Sequence, residues 1–264
     1  MNFNGFVICS DFDNTLRRSD QSISEENSKA IKYFQENGGL FTMATGRHSD
    51  MIGEFSEFFI PNTYVIIMNG TMIYDMESEK VIYSYPMDVK NSLDILHYIV
   101  ENYGDLYQIR IHSSDDIVMW EQGTSADEII KIVRNDLKMP LYKEICVGNP
   151  DYIIKLKNDL TDKFGMKFSF DRSWPEGLEI HSTDSGKGKC VKKLKELLGE
   201  GYTTIGVGDF ENDITLVRDA DIGIAVANAD DSVKNVADII TVSNDDDAIA
   251  KIIYDIEKGV IQKK

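Results

Sequence analysis

The chain has 264 residues and carries 28 Lys and Arg against 45 Asp and Glu, which gives a formal net charge of −17. A chain of this length can bury a sizeable core in one large domain or two smaller ones. Its negative charge repels phosphate backbones and anionic lipids, so we expect no nucleic-acid partner and no membrane partner; an anionic substrate would need a metal ion or a lysine at its site.

The first third of the chain predicts strands and helices in alternation. Apolar runs too short for helices predict buried strands at 6–9, 40–44 and 64–68. Helices are predicted between them, one capped by Ser24 and one from about 49 to 59. Buried strands separated by helices indicate a parallel sheet that is covered on both faces, and hence an α/β fold.

The middle of the chain has a different pattern. A hairpin is predicted from 71–75 and 80–84, and the elements after it follow the order helix, two strands, helix, strand, helix, two strands. Paired strands after helices indicate an α+β domain. We therefore predict an inserted α+β domain over 85–183, and a discontinuous core formed by 1–84 and 184–264.

The last third returns to the alternating pattern, and its acidic run at 245–247 is predicted to cap the final helix through the helix dipole rather than to bind a metal. The predicted helices and strands of this third are 187–198, 203–207, 211–218, 222–226 and 238–242.

Cysteine usage and hydropathy bear on the compartment. Cys9, Cys146 and Cys190 are widely spaced without a CxxC pair, which favours reduced thiols over disulfides or a zinc site. Asp11 and Asp13 interrupt the apolar stretch nearest the N-terminus, so no signal peptide is expected. We expect a cytoplasmic protein.

Chemistry-bearing side chains follow the predicted parallel strands where each strand ends. Asp11 and Asp13 come after the first strand, and Thr45 comes after the second. Asp209 and Asp213 follow a strand of the last third. Because ligands of open α/β sheets bind at the carboxyl ends of the strands, we expect these residues to lie together despite their separation in sequence.

The residue types at this edge indicate a metal site. Clustered carboxylates repel one another unless a cation lies among them, and oxygen ligands from few residues suit Mg²⁺. Lys187 would add a positive charge, and Thr45 with Gly46 would offer a hydroxyl and close backbone approach. Each feature alone is more typical of a cap, a turn or a solvated charge, so only their joint occurrence indicates a functional site.

Four motifs, in order, resemble those of the haloacid dehalogenase-like superfamily of phosphatases, and two further segments are similar to features of its Cof-type branch. The motif segments are DFDNTL at 11–16, ATGR at 44–47, Lys187-Gly188, and GDFEND at 208–213; the further segments are Asn69-Gly70 and AVANA at 225–229.

The resemblance implies a Rossmann-like core, with a mobile cap inserted between the second and third motifs, which would select the substrate. It also implies a Mg²⁺-dependent phosphatase that hydrolyses small phosphorylated metabolites, such as sugar phosphates, through an aspartyl-phosphate. The implied roles are nucleophile for Asp11, general acid and base for Asp13, phosphate binding for Thr45, Gly46 and Lys187, metal binding for Asp11, Asp13 (through its carbonyl) and Asp209, and support from Asn212 and Asp213, with Asn212 orienting Asp213 and Lys187.

One position departs from the family pattern. Asn14 stands where the first motif usually has Gly, which permits backbone angles that other residues avoid. Asn is the residue that best tolerates such angles, so we expect activity to survive.

Further residues could border the site. Arg17 and Arg18 could meet a second anionic group, although a solvated charge pair is an equal expectation. His112 and His181 could face a substrate, but ordinary buried or surface histidines are the commoner case. Trp120 and Trp174 are predicted to belong to the core of the inserted domain.

Other functions remain open at this stage. A phosphomutase would use the same aspartyl-phosphate and return the phosphoryl group to a sugar. A receiver-like phospho-acceptor also gathers acids and a lysine at strand ends, but it is usually more compact than this chain. A binding protein without catalysis is disfavoured, since every motif keeps its reactive side chain. The physiological substrate and the oligomeric state do not follow from the sequence.

Overall fold

The structure is a computed structural model, and it divides into two compact units. Unit 1 contains Met1–Ser84 and Gly186–Lys264, and unit 2 contains Tyr85–Ser185. Within the described part of the chain, no helix combines the length and the apolar character needed to cross a bilayer. The described residues are 2–55, 58–113, 116–135, 137–199 and 201–263.

The strands and helices have these bounds. In chain order the strands are β1 (Phe6–Ser10), β2 (Leu40–Met43), β3 (Val65–Ile67), β4 (Met72–Asp75), β5 (Lys80–Ser84), β6 (Gln108–Ser113), β7 (Ile117–Glu121), β8 (Leu141–Val147), β9 (Phe168–Trp174), β10 (Gly177–Ser182), β11 (Thr203–Gly208), β12 (Ile222–Ala225) and β13 (Ile239–Ile240). The α-helices are α1 (Glu25–Glu36), α2 (Val89–Asn102), α3 (Ala126–Asn135), α4 (Pro150–Phe164), α5 (Lys187–Leu198), α6 (Ile214–Asp219), α7 (Asp231–Lys234) and α8 (Ala248–Glu257).

The main sheet of unit 1 has five parallel strands in the order β13-β12-β11-β1-β2. β1 lies inside this sheet, and all five of its residues are buried. Its sequence, FVICS, has no charged residue, as expected for a strand that is covered on both faces. Ser10 lies opposite Val207 of β11 and Met43 of β2, so these three strands end at one level. The prediction of a parallel α/β sheet is confirmed.

The prediction for α1 is also confirmed in detail. The Ser24 hydroxyl accepts a hydrogen bond from the Asn27 N–H at 3.0 Å, which satisfies one of the unpaired donors of the first turn. Ala30, Ile31 and Phe34, spaced at helical intervals, form its buried face. The helix ends before Gly38, whose φ of 90° favours glycine.

The predicted third strand lies parallel to the end of the second strand, and it also begins a separate antiparallel sheet. β3 forms an antiparallel three-stranded sheet in the order β3-β4-β5, and its contact with the parallel sheet is a bridge between Ala44 and Ile66. The chain reverses after β3 because Met68, Asn69 and Gly70 all have positive φ, which makes a tight turn. The β4–β5 hairpin itself was predicted correctly.

Two other local predictions need correction. The segment after the second motif is a 3₁₀-helix over Ser49–Phe55; its predicted extension to 59 includes 56 and 57, which lie outside the described residues. The Asp247 side chain makes no capping hydrogen bond to α8. Instead, Asp245 accepts hydrogen bonds from Ser19, and Asp247 pairs with Arg18 at 2.6 Å. The acidic run therefore joins α8 to the loop after the first motif.

Unit 2 contains a five-stranded antiparallel sheet in the order β7-β6-β8-β10-β9. Its element order is the predicted one. Helices α2, α3 and α4 contribute their apolar faces to one buried core with the sheet. Trp120 belongs to this core, as predicted, and the ring of Trp174 lies over Gly177, where a Cβ would meet it at 2.3 Å.

Candidate active site

Three buried carboxylates meet at the carboxyl ends of β1 and β11. Asp11, Asp209 and Asp213 each place a carboxylate oxygen within 4.8 Å of the others. Asp11 follows β1, and its N–H donates to the carbonyl of Val207 in β11 at 2.8 Å. Asp209 follows β11, and Asp213 immediately precedes α6. Neighbouring parallel strands thus bring together residues from both ends of the chain.

Lys187 joins two of these acids. It is the first residue of α5, its side chain has no solvent exposure, and its Nζ lies 2.6 Å from Asp11 Oδ1 and 2.6 Å from Asp213 Oδ1. Gly186, at φ 126°, directs the chain into the helix, and its N–H donates to the Gly70 carbonyl. A side chain on Gly188 would meet the backbone oxygen of Thr215 at 2.4 Å, so glycine permits the close approach of α5 to α6.

The cluster carries more negative charge than its lysine can balance. Burial and the charge of Asp213 raise the pKa of Asp11 well above its usual value, against the opposing effect of Lys187. Burial and Asp213 likewise raise the pKa of Asp209 to about 7. Burial alone would lower the pKa of Lys187, but the charges of Asp11 and Asp213 raise it, so the lysine stays protonated. The raised pKa values reflect this excess of negative charge: with all three carboxyl groups ionised, the single ammonium would leave two negative charges, which one divalent cation would balance.

Other hydrogen bonds fix the carboxylate of Asp209 and the oxygen of Asp213 that Lys187 does not contact. Asp209 Oδ1 accepts from the Thr15 hydroxyl at 2.8 Å. The second oxygen of Asp213 accepts from the backbone N–H groups of Asp209 and Phe210 at 3.1 and 3.3 Å. A side chain on Gly208 would meet the Asp213 carboxyl at 2.5 Å, so this approach also requires glycine.

The Asp13 side chain stands apart from the buried cluster. Its carboxylate is 49% exposed and pairs with Arg17 and Arg47, each at 3.1 Å. The expectation that Asp13 lies together with Asp11, Asp209 and Asp213 is corrected for its side chain, which is not part of the group of three clustered carboxylates. Asp11 and Asp13 both keep extended backbone angles, with ψ of 161° and 130°, and the chain turns at Asn14, which is left-handed. The charge of Asp13 still contributes to the raised pKa of Asp209, so the two are near neighbours.

Asn14 occupies the left-handed region, at φ 58° and ψ 9°. This confirms that the position demands backbone angles suited to glycine, and Asn is among the few other residues that adopt them readily. The carbonyl of Asn14 accepts a hydrogen bond from Asn228 Nδ2 at 2.8 Å, which ties the first motif to the chain after β12.

The second and fourth motifs meet through Asn69. Thr45 is buried, its hydroxyl accepts from the Arg47 N–H at 3.2 Å, and its carbonyl accepts from the Asn69 N–H at 2.9 Å. Asn212 donates to the Asn69 side chain at 3.1 Å. A Cβ on Gly46 would lie 3.2 Å from that same side chain. The Asn212 amide thus contacts Asn69, and the prediction that Asn212 orients Asp213 and Lys187 stays a prediction.

Sequence reasoning missed several residues that organise the site. Asn69 and Asn228 were noted only as parts of family-like segments, and Thr15 received no role. An available signal for Asn69 was the Asn-Gly pair directly after a strand, since both residues adopt positive φ in tight turns. The hydrogen bond from Thr15 to Asp209 joins residues 194 positions apart, and no local pattern predicts such a contact.

The other candidate residues have defined partners. His181 is buried, with Nε2 2.8 Å from Asp171 Oδ2 and Nδ1 2.7 Å from the Ser185 hydroxyl, which is the ordinary case of a hydrogen-bonded core histidine. His112 is buried on β6. Arg17 and Arg18 are not a solvated pair, because Arg17 bonds Asp13 and Arg18 bonds Asp247.

Comparison with known proteins identifies relatives over nearly the whole chain. A family described as haloacid dehalogenase-like hydrolase matches residues 8–253. Pyridoxal phosphate phosphatase YbhA of Escherichia coli is 25% identical, over 94% of this chain and 97% of its own. The 5-amino-6-(5-phospho-D-ribitylamino)uracil phosphatase YcsE of Bacillus subtilis is 24% identical, over 94% of each chain.

A solved structure supports the fold. The crystal structure of a haloacid dehalogenase-like hydrolase from Bacteroides thetaiotaomicron superposes with a TM-score of 0.75 at 25% identity, covering 96% of this chain and 99% of the other. The expected Rossmann-like α/β architecture with additional antiparallel sheets is confirmed.

Proposed function

We propose that this chain, which belongs to the haloacid dehalogenase-like hydrolase family and is a phosphatase of that family, hydrolyses small phosphorylated metabolites through a phosphorylated Asp11. One observation carries the proposal: a fully buried lysine bridges Asp11 and Asp213 at 2.6 Å each, within a carboxylate cluster that is short of positive charge. Such a site pre-organises a nucleophile and attracts a cation, as phosphoryl transfer requires.

The donor set fits Mg²⁺. Carboxylate and carbonyl oxygens are the ligands that this ion prefers, and the two unbalanced charges match its own. In our proposal Asp11, Asp209 and the backbone carbonyl of Asp13 hold it, with Asp213 in support. When bound, the ion offsets negative charge on the phosphoryl group.

The side chains carry the following steps. An oxygen of Asp11 forms a bond to phosphorus while the ester bond breaks, and Asp13 gives a proton to the departing oxygen. Asp13 then removes a proton from water, whose oxygen attacks phosphorus, so that inorganic phosphate leaves and Asp11 is regenerated. Lys187, Thr45 and Gly46 hold the phosphoryl oxygens. Asn212 acts indirectly, by fixing Asn69 beside the second motif.

The substrate class follows from the relatives. Their printed names describe phosphate esters of small metabolites, one a pyridoxal and one a ribitylaminouracil compound. We propose a substrate of the same general size for this chain. The assignment of 85–183 as a cap that chooses among such substrates, with 1–84 and 184–264 as the core, belongs to this proposal.

The experiment is a measurement of phosphate release from a panel of phosphorylated metabolites and one aryl phosphate, with Mg²⁺ and with chelator. We expect release that depends on Mg²⁺. Product analysis with a hexose phosphate separates hydrolysis from transfer, since a mutase would yield an isomeric hexose phosphate and little free phosphate. No release from any ester at any Mg²⁺ concentration would contradict the proposal.

A further inference from the structure

Two arginines share the carboxylate of Asp13. Arg47 approaches it as a fork, with Nε 3.2 Å from Oδ2 and Nη2 3.1 Å from Oδ1, and Arg17 adds Nη1 at 3.1 Å from Oδ1. Both guanidinium groups also lie over the ring of Phe12, at 4.8 and 5.8 Å from its centroid. Two positive charges and one negative charge leave this group with a net charge of +1, in a chain whose formal charge is −17.

Arg17 is held in place by the surrounding backbone. Its Nε donates to the Gln21 carbonyl at 2.8 Å, and its own N–H donates to the Phe12 carbonyl at 2.8 Å. Its carbonyl accepts from Asn244 Nδ2 at 3.0 Å. No described residue accepts a hydrogen bond from Nη2, and the side chain is 24% exposed. Arg17 thus presents a pre-positioned donor that a ligand can reach.

The neighbouring arginine offers a contrast. Arg18 has the same charge and a similar exposure of 30%, but its Nη2 lies 2.6 Å from Asp247 Oδ1, on the chain that leads into α8. One arginine of this pair therefore contacts the proposed general acid, while the other contacts a carboxylate outside the catalytic cluster.

We propose that Arg17, together with Arg47, binds a second anionic group carried by the substrate close to its phosphate ester. This inference rests on the proposed function, in which Asp13 contacts the oxygen that leaves with the alcohol part. Whatever is attached to that oxygen must then lie beside the two guanidinium groups that surround Asp13. A carboxylate or a second phosphate there would receive charge-assisted, forked hydrogen bonds. The preferred substrates are accordingly phospho-acids or bisphosphates rather than esters of neutral alcohols.

The test compares two esters that differ at one carbon. 2-Phosphoglycerate carries a carboxylate on the carbon that bears the phosphate, and glycerol 2-phosphate carries a hydroxymethyl group there. We expect the wild-type protein with Mg²⁺ to favour 2-phosphoglycerate by about tenfold in kcat/KM, chiefly through a lower KM, which is the effect of one charge-assisted contact at a partly exposed site. Arg17→Met should remove this preference, and Arg17→Lys should restore part of it.

Arg18→Met is the matched control, because it removes the same charge one residue away and should retain the preference. A general disturbance of Asp13 would lower the rates for both esters and leave their ratio unchanged. Equal kcat/KM for the two esters in the wild-type protein would overturn the inference, as would an unchanged ratio in Arg17→Met or an equal loss of preference in Arg18→Met.

Binding separates this inference from the proposed function. Calorimetry of Asp11→Asn with Mg²⁺ measures the affinity for both esters without turnover. Tighter binding of 2-phosphoglycerate that disappears in the Asp11→Asn/Arg17→Met protein supports the subsite even if no ester is hydrolysed. Equal affinity for both esters contradicts the subsite even if the protein proves to be a phosphatase.

Discussion

Each unit of the molecule buries acidic side chains, but the catalytic cluster of unit 1 and Glu144 of unit 2 differ in the partners that their carboxyl groups have. In unit 1, Lys187 lies 2.6 Å from the carboxylates of Asp11 and Asp213, the Thr15 hydroxyl bonds Asp209, and a backbone N–H bonds the second oxygen of Asp213. In unit 2, buried Glu179 pairs with Lys143 at 2.8 Å, but Glu144 lies in the central strand β8, and no described residue forms a hydrogen bond with either of its carboxyl oxygens. Burial raises the pKa of Glu144 to about 8.

The surroundings of Glu144 are apolar on both sides. It lies opposite Ile111 of β6 and Ile180 of β10, and the same row continues to Val118 and Phe170 at the edges of the sheet. A carboxyl group in such a row is held neutral below its raised pKa, because an ionised one would lack both water and partners. Burial thus disfavours the charge of an acid in either unit, and the lysine and the hydrogen-bond donors of the catalytic cluster oppose this effect where Glu144 has no such partner.

The largest expected effect follows loss of the nucleophile. Asp11→Asn should reduce phosphate release by at least about a thousandfold, because an amide cannot form the phosphorylated intermediate. The protein should remain folded, since the substitution removes a charge from a repulsive cluster. Asp231→Asn, at an exposed position in α7, is the control and should keep full activity. Wild-type rates in Asp11→Asn would show that the nucleophile is wrongly assigned.

Removing the positive charge of Lys187 should leave the acids of unit 1 buried without a charged partner, as Glu144 is. Lys187→Met is expected to lower the free energy of unfolding by about 3 to 5 kcal/mol, because breaking a buried ion pair leaves uncompensated charge. Chemical denaturation measures this, and Asp213→Asn added to Lys187→Met should recover part of the loss. Lys192→Met, whose side chain is 59% exposed, should change stability little. A Lys187→Met protein as stable as wild type would contradict the view that Lys187 stabilises the buried carboxylates.

Glu144→Gln tests the buried acid of unit 2 that lacks a partner. The pKa of Glu144 is about 8 in the folded state against an ordinary value of 4.5, so between these pH values the folded state retains a proton that the unfolded state releases. The contribution of the protonated Glu144 to the free energy of unfolding is therefore fully present below pH 4.5 and is lost as the pH rises toward 8. Glu144→Gln should remove this dependence, which amounts to about 3 kcal/mol between roughly pH 5 and 8.

Denaturation of wild type and Glu144→Gln at several pH values measures this difference. Glu176→Gln, at an exposed position between β9 and β10, is the control and should follow the wild-type profile. Parallel stability profiles for wild type and Glu144→Gln would mean that Glu144 is ionised in the folded protein and has found a partner.

The smallest effect is expected at the first motif. Asn14→Gly should change kcat by no more than about twofold, because Asn14 already holds the left-handed conformation at φ 58° that glycine adopts easily. Asn14→Val is the comparison variant. A β-branched residue is strained at positive φ, so this substitution should lower both stability and activity. A large gain in rate for Asn14→Gly would indicate that Asn14 restrains the nucleophile loop.

Much of the fold followed from local chemistry. The run FVICS, the Ser24 cap and the hairpin at 71–84 depend on burial pattern, hydrogen bonding within a turn, and alternation along two short strands. Such features depend on residues that are close in the sequence, so they can be predicted from the sequence alone. The parallel direction of β3 was predicted, but its pairing with β4 was not, because the apolar sequence VII suits either kind of sheet and the positive φ angles of the turn after it reverse the chain into β4.

The sequence by itself determined which residue types are available at the strand ends, and therefore that acids, a threonine and a lysine would gather at one edge of a parallel sheet. Only the tertiary structure decided how they pair: Lys187 with Asp11 and Asp213, Thr15 with Asp209, Asn212 with Asn69, and Asp13 outside the cluster with Arg17 and Arg47. The physical reason is that hydrogen bonds and ion pairs depend on distances between segments far apart in the chain, and these distances exist only once the sheet has assembled.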